Sequence, residues 1–191
     1  FVGEFTGDNF GHPAKDAGDV NNDSFDDIII GAPSFSADGS DAGRAYVFSG
    51  HTGSLLHAFT GDEGGDTVGV SGQMGVWADG AGDVNGDGFA DVVISAISHN
   101  AGGIDRGRVY VFSGANWDTL FIKSGSQDGD GLGVSVAGIG DANGDTFDDV
   151  LIGSWYSDVG DKSDAGRAFL FYGPIGNSNT GFDGSPVSYR F

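Results

Sequence analysis

Apolar residues in this chain come in short runs, and the runs recur. Ile28-Ile29-Ile30, Val92-Val93-Ile94 and Val150-Leu151-Ile152 each stand between polar turns. A continuous β-branched run of this length predicts a strand buried on both faces. Downstream of each lies an alternating run: Arg44-Ala45-Tyr46-Val47-Phe48, Arg108-Val109-Tyr110-Val111-Phe112 and Arg167-Ala168-Phe169-Leu170-Phe171. Further strand-like runs are Ser54–Thr60 and Thr119–Lys123, and Val134–Ile139 shows one more ahead of the third triplet. No segment of any length has apolar residues at helical spacing.

The runs belong to a repeat. Gly18-Asp19-Val20-Asn21-Asn22-Asp23-Ser24-Phe25-Asp26-Asp27 returns as Gly82-Asp83-Val84-Asn85-Gly86-Asp87-Gly88-Phe89-Ala90-Asp91. It returns again as Gly140-Asp141-Ala142-Asn143-Gly144-Asp145-Thr146-Phe147-Asp148-Asp149. The alternating Arg-led block, ending in Gly50, Gly114 and Gly173, recurs in phase with it. A weaker mark precedes each loop: Phe10-Gly11, Met74-Gly75 and Leu132-Gly133. Two blocks sharing one period define units, and four antiparallel strands in about 60 residues describe one propeller blade. The expected fold is all-β: β-propeller blades of four antiparallel strands, three blades per chain, with the ring completed by another chain or by sequence outside this one.

The expected boundaries run over a single segment, 1–191. Residues 1–7 are expected to be an orphan fourth strand, since Phe1–Thr6 aligns with Leu56–Thr60 and Phe121–Ser124. Blade 1 then covers 8–60, blade 2 covers 61–124, and blade 3 with a C-terminal tail covers 125–191. Pro13, Lys15 and Asp16 predict a short or irregular first strand in blade 1. Asp62 to Gln73 reads as a loop insertion in blade 2, and Val187–Phe191 alternates as a fourth strand of blade 3 would.

Composition sharpens this picture in one respect. Gly supplies 37 of the 191 residues, the level of a chain of short strands and tight turns, while 15 Phe exclude disorder by composition. Of 28 acids only Glu4 and Glu63 are Glu, so the net charge of −20 is carried by Asp. Asp suits turns and hard cations. The scarcity of Lys and Arg excludes a nucleic-acid footprint, and no apolar run reaches the ~20 residues of a membrane-spanning helix. There is no Cys, so thiolate metal sites and disulfides are absent.

The acidic loops read Asp-x-Asn-x-Asp-x-Phe-x-Asp. Side-chain oxygens at positions 1, 3, 5 and 9, with a backbone carbonyl at position 7, make the ligand set of a Ca²⁺ site. An EF-hand is excluded, because its position 12 acid is replaced by Ile30, Ile94 or Ile152 inside a strand run. An Asp-rich turn without metal is the alternative, but three loops each holding three acids would repel themselves. The candidate metal residues are Asp19, Asn21, Asp23, Phe25 and Asp27, then Asp83, Asn85, Asp87, Phe89 and Asp91, then Asp141, Asn143, Asp145, Phe147 and Asp149. Three Ca²⁺ sites are expected.

With these loops, Phe10-Gly11 and Gly31-Ala32-Pro33, the units resemble FG-GAP repeats, the blades of integrin α-subunit propellers and their bacterial relatives. The resemblance implies that each loop joins the first two strands of a blade and binds Ca²⁺. Two departures stand out: the usual Gly at position 6 is present as Gly88 but replaced by Ser24 and Thr146. The functional expectation is an extracellular, non-enzymatic module, secreted or at the cell surface, for adhesion or for binding protein or glycan. The alternatives are the propeller part of a secreted or surface enzyme of polysaccharide lyase or phospholipase type, and a structural unit of a surface fibre or sheath. His12, His51, His57 and His99 show no recurring spacing with acids and read as ordinary surface or turn histidines. Trp77, Trp117 and Trp155 read as core, although a cluster on one exposed face would favour carbohydrate. Arg44, Arg108 and Arg167 read as structural partners of Asp or carbonyls. The partner expectation is self-association, a homodimer closing a six-bladed ring, or the remainder of a longer propeller. Nucleic-acid binding and membrane insertion are not expected.

Overall fold

The computed structural model describes residues 1–36, 42–61 and 77–175. The described residues contain strands and turns and no helix. Eleven strands form three antiparallel sheets. The first sheet holds β1 (Ala14–Gly18), β2 (Asp27–Ala32), β3 (Arg44–Phe48) and β4 (Leu55–Thr60) in sequence order. The second holds β5 (Ala78–Gly82), β6 (Asp91–Ala96), β7 (Arg108–Phe112) and β8 (Thr119–Ser124), again in order. The third holds β9 (Leu132–Gly138), β10 (Val150–Ser154) and β11 (Arg167–Phe171), also neighbours in sequence order. These are meanders of the propeller-blade kind, and the described chain does not close a ring.

The β-branched triplets become the second strand of each blade, as their composition requires. Ile29, Val92, Val93, Ile94 and Ile152 are fully buried. One core unites Ala17, Ile29, Ala45 and Val47 of the first blade with Ala78, Val92 and Ile94 of the second. Another unites Val93, Val109 and Val111 with Val136, Val150, Ile152 and Phe171. The blades are thus stacked face on face, and each interface is made of the same repeat positions. The first strands come closest together. A side chain at Gly138 of β9 would run into the backbone of Gly80 and Ala81 in β5, so the absence of a Cβ there is what lets the two strands meet.

The first strand of blade 1 is as long as β5, despite Pro13, Lys15 and Asp16. Both carry a bulge at the same place, between Asp16 and Gly18 and between Gly80 and Gly82. The Phe-Gly and Gly-Ala-Pro marks prove to be two halves of one contact: the amides of Gly11 and His12 both donate to the Gly31 carbonyl, at 2.9 and 3.2 Å.

Residues 1–7, expected as an orphan fourth strand, pair with no strand among the described residues. This stretch is bends and turns, held because Asp8 accepts the Phe5 amide at 2.8 Å and because its aromatics have somewhere to go. Phe1 packs on Phe48 and Phe5 on Phe35, while Phe10 lies edge-on to Tyr46. The segment lies against this aromatic face of blade 1, where Phe1 and Phe5 make ring contacts while remaining 61% and 54% exposed. The insertion Asp62 to Gln73, the Met74-Gly75 pair and Val187–Phe191 lie outside the described residues.

Candidate functional site: three acidic loops at one rim

Each acidic loop connects the first and second strands of its blade, and the three have one hydrogen-bond pattern. The position 1 carboxylate turns inward onto the loop's own amides. Asp83 accepts from Gly86 at 2.7 Å, Asp87 at 3.0 Å and Gly88 at 2.9 Å. Asp141 accepts from Gly144, Asp145 and Thr146 in the same way, and Asp19 from Asp23 and Ser24. The position 3 Asn oxygen takes the position 5 amide in all three loops, at 2.8 or 2.9 Å. The position 5 carboxylate takes the amide of Phe25, Phe89 or Phe147 at 3.0 Å. These are Asx turns laid end to end.

To wind this tightly the backbone enters the left-handed region twice. Position 4 is Asn22 (φ 57°), Gly86 (78°) or Gly144 (82°), and position 6 is Ser24 (72°), Gly88 (87°) or Thr146 (82°). For β-branched Thr146 this conformation is strained. The unusual residues at position 6 therefore sit where only Gly is comfortable.

The position 9 acids behave differently from the rest. Asp27, Asp91 and Asp149 are buried, at 1%, 0% and 0% exposure. One oxygen of each accepts the amide of position 2, from Val20, Val84 or Ala142, at 2.9–3.0 Å. The other accepts from Gly50, Gly114 or Gly173, just beyond the third strand, at 3.0–3.1 Å. The closing glycine of the Arg-led block is thereby explained: a Cβ on Gly114 would strike the Ala90 and Val20 carbonyls. The sequence marked this glycine as a repeat position but not as the acid's partner, because the two lie 23 or 24 residues apart. Burial pushes the Asp91 carboxyl up to about 7, opposed by the amides of Gly114 and Val84 and reinforced by the charges of Asp87 and Asp83. Asp27 and Asp149 are likewise raised, first by burial. Asp141, at the exposed mouth, is lowered, chiefly by the Thr146 amide.

Among the described residues no three acidic or histidine side chains are gathered closely enough to hold a metal ion. The loop's own amides engage its carboxylate and Asn oxygens instead. The donor set nonetheless fits a hard cation. Oδ2 at position 1 and Oδ1 at positions 3 and 5 each accept one of these amides and retain a second lone pair. In each loop the acids at positions 1 and 5 raise the position 9 carboxyl, so one electrostatic field covers all three.

Neighbouring loops are also bonded to each other. The Ala90 amide donates to the Asp19 carbonyl at 3.0 Å, and Asp148 to that of Asp83 at 3.2 Å. Two buried acids escaped sequence reasoning: Asp8 and Asp130, each 3% exposed. Their signal was available, since each stands two residues before an apolar-Gly pair, Phe10-Gly11 or Leu132-Gly133.

The remaining candidates are dispersed. Trp77 packs against the core of blades 2 and 3. Trp117 lies in the seam between blades 1 and 2, stacked on His57 at 4.9 Å. Trp155 and Tyr156 form an exposed pair, at 41% and 54%. His99 is buried rather than superficial, its Nδ1 accepting the Ala101 amide. Arg44 and Arg108 each donate Nε to a fourth-strand hydroxyl, Thr60 or Ser124.

The sheets and loops define an all-β array of propeller blades. Residues 16–48 and 75–112 match the FG-GAP repeat family. The chain is similar to integrin alpha-PS2 of Drosophila melanogaster, 30% identical over 172 residues, covering 82% of this chain and 12% of that protein. It is also similar to integrin alpha-5 of Xenopus laevis, 31% identical over 175 residues and 83% of this chain. Integrin alpha-6 of Gallus gallus is 27% identical over 164 residues, 81% of this chain. The chain spans 12% to 16% of the length of these relatives. It is an integrin-α-like module of FG-GAP repeats.

Proposed function

We propose that this chain is part of an extracellular, non-enzymatic adhesion propeller, secreted or at the cell surface, whose blades are braced by Ca²⁺ at their acidic loops. In this reading each loop holds one ion. Positions 1, 3, 5 and 9 give side-chain oxygens and position 7 its carbonyl, over Asp19–Asp27, Asp83–Asp91 and Asp141–Asp149. The observation that supports it most is the position 9 carboxylate, buried beside two other acids of its own loop in all three blades. A cation there offsets the burial of charge that Asp91 otherwise carries. Its role is to tie the loop to the strands on either side, and recognition of a protein or glycan falls to other loops. The units 8–60, 61–124 and 125–191 serve as three successive blades, and the ring is completed by further blades of a longer chain or by another copy.

The test is thermal melting of the chain in Ca²⁺ and in EGTA. At a free concentration one hundred times Kd each occupied site adds about 2.7 kcal/mol, so melting should rise by many degrees. Unchanged melting, with no Ca²⁺ retained after gel filtration, overturns the proposal.

A further inference from the structure

The Arg-led strands give each blade a cation on the face turned towards the preceding unit, and the three cations meet different partners. In blade 1, the Arg44 guanidinium lies 3.1 Å from Glu4 Oε1, and the Tyr46 hydroxyl donates to the same oxygen at 2.8 Å. Glu4 belongs to the folded-over segment 1–7. A carboxylate carried on a short irregular peptide therefore meets the cation on this face of blade 1.

The corresponding face of blade 3 borders a cavity of about 210 Å³ between β8 and β11, with Lys123, Arg167, Ser154, Ser157, Leu132 and Phe169 on its walls. Here the chain supplies a second cation, Lys123, where blade 1 receives an acid. Arg167 gives one guanidinium N–H to the Asp158 carbonyl, and neither cation is in an ion pair among the described residues. The acid within the cleft, Asp130, has its Oδ2 engaged by two amides and a hydroxyl, from Ser126 and Gln127. The walls are rigid, since Ser154 and Ser157 are buried and bonded to each other at 2.7 Å and Ser154 also to the Asp130 carbonyl. In a chain of net charge −20 with eight Lys and Arg in all, two converge here.

We propose that the cleft between blades 2 and 3 binds the carboxylate side chain of an acidic residue on a peptide segment, with Lys123 and Arg167 as its two cationic contacts. Blade 1 provides the pattern: a Glu on the cation, with Phe5 beside it packed on the blade. The apolar walls Leu132 and Phe169 suit the residue next to the acid. The site uses no acid of the metal loops, so it stands or falls separately from Ca²⁺ binding.

The experiment is a titration of the full ¹⁵N-labelled chain, in Ca²⁺, with acetyl-Gly-Glu-Phe-amide, followed by amide shifts. Saturable shifts should centre on Gly125 and Arg167. Affinity should fall at least tenfold with acetyl-Gly-Gln-Phe-amide, and equally in Lys123→Gln and Arg167→Gln. A spectrum otherwise superimposable on the parent shows that each variant is folded, and Lys123→Gln alone carries the test if Arg167→Gln is not. Equal affinity of the Gln peptide, unchanged affinity in Lys123→Gln, or shifts confined to other regions overturns the proposal. Binding of D-glucuronate with the same Lys123 dependence, in the absence of peptide binding, also overturns it, by assigning the cleft to an acidic sugar.

Discussion

Asp83 and Asp148 hold each other across the boundary between blades 2 and 3. The Asp148 amide donates to the Asp83 carbonyl at 3.2 Å, and the Asp83 amide donates back to Asp148 Oδ2 at 2.8 Å. Between blades 1 and 2 only the first half of this clasp can form, because Ala90 stands where Asp148 does. Asp148→Ala should therefore destabilise the chain by about 1–2 kcal/mol, measured by urea unfolding. The second strand of blade 3 should lose hydrogen-exchange protection before that of blade 1.

The strained turn at position 6 predicts an improvement. Thr146→Gly removes a β-branched side chain from φ 82° and should stabilise the fold by about 1 kcal/mol, the left-handed penalty being partly offset by the added freedom of Gly in the unfolded chain. Ser24→Gly should act in the same direction and Gly88→Ala in the opposite one, all read as shifts in melting temperature.

Acids at positions 5 and 9 should fail differently. Asp91→Ala strips two amides, those of Val84 and Gly114, of a buried acceptor and should cost about 2–4 kcal/mol even in EGTA. Asp87 is exposed, so Asp87→Ala should be nearly neutral in EGTA and should reduce only the stabilisation gained on adding Ca²⁺. Melting the two variants with and without Ca²⁺ separates a ligand from a ligand that is also a brace.

His57 gives a pH dependence. Burial lowers its pKa below the ordinary value of 6.5, so the folded state binds the proton less readily than the unfolded chain. Stability should be intact above pH 6.5 and should decline as pH falls from there through the folded-state pKa. His57→Phe, which preserves the stack on Trp117, should flatten this part of the profile in a pH series of melting curves.

Much of this was legible because the repeat amplified it. A single Ile28-Ile29-Ile30 run is ambiguous, but three runs following three identical loops fix strand, order and period together. The first strand of blade 1 was harder, since Lys15 and Asp16 are exposed at the edge and register came from pairing with Ile28 and Ile29. For residues 1–7, alignment with a fourth strand says nothing about whether a neighbouring edge is present, and in this chain they lie as bends and turns beside the aromatic face of blade 1. The double duty of Asp27, Asp91 and Asp149 was hidden for a related reason: their partners at Gly50, Gly114 and Gly173 are brought close only by folding of the sheet.

The bonds from loop to loop give the array a direction. In each joint the eighth residue of the later loop donates and the first residue of the earlier loop accepts, so Asp26 occupies the donor place at one end and Asp141 the acceptor place at the other. Units joined through this rim can follow one another only head to tail. Two copies meeting like face to like face would set donor against donor, so this rim is heterologous by construction, and growth along it has a fixed polarity.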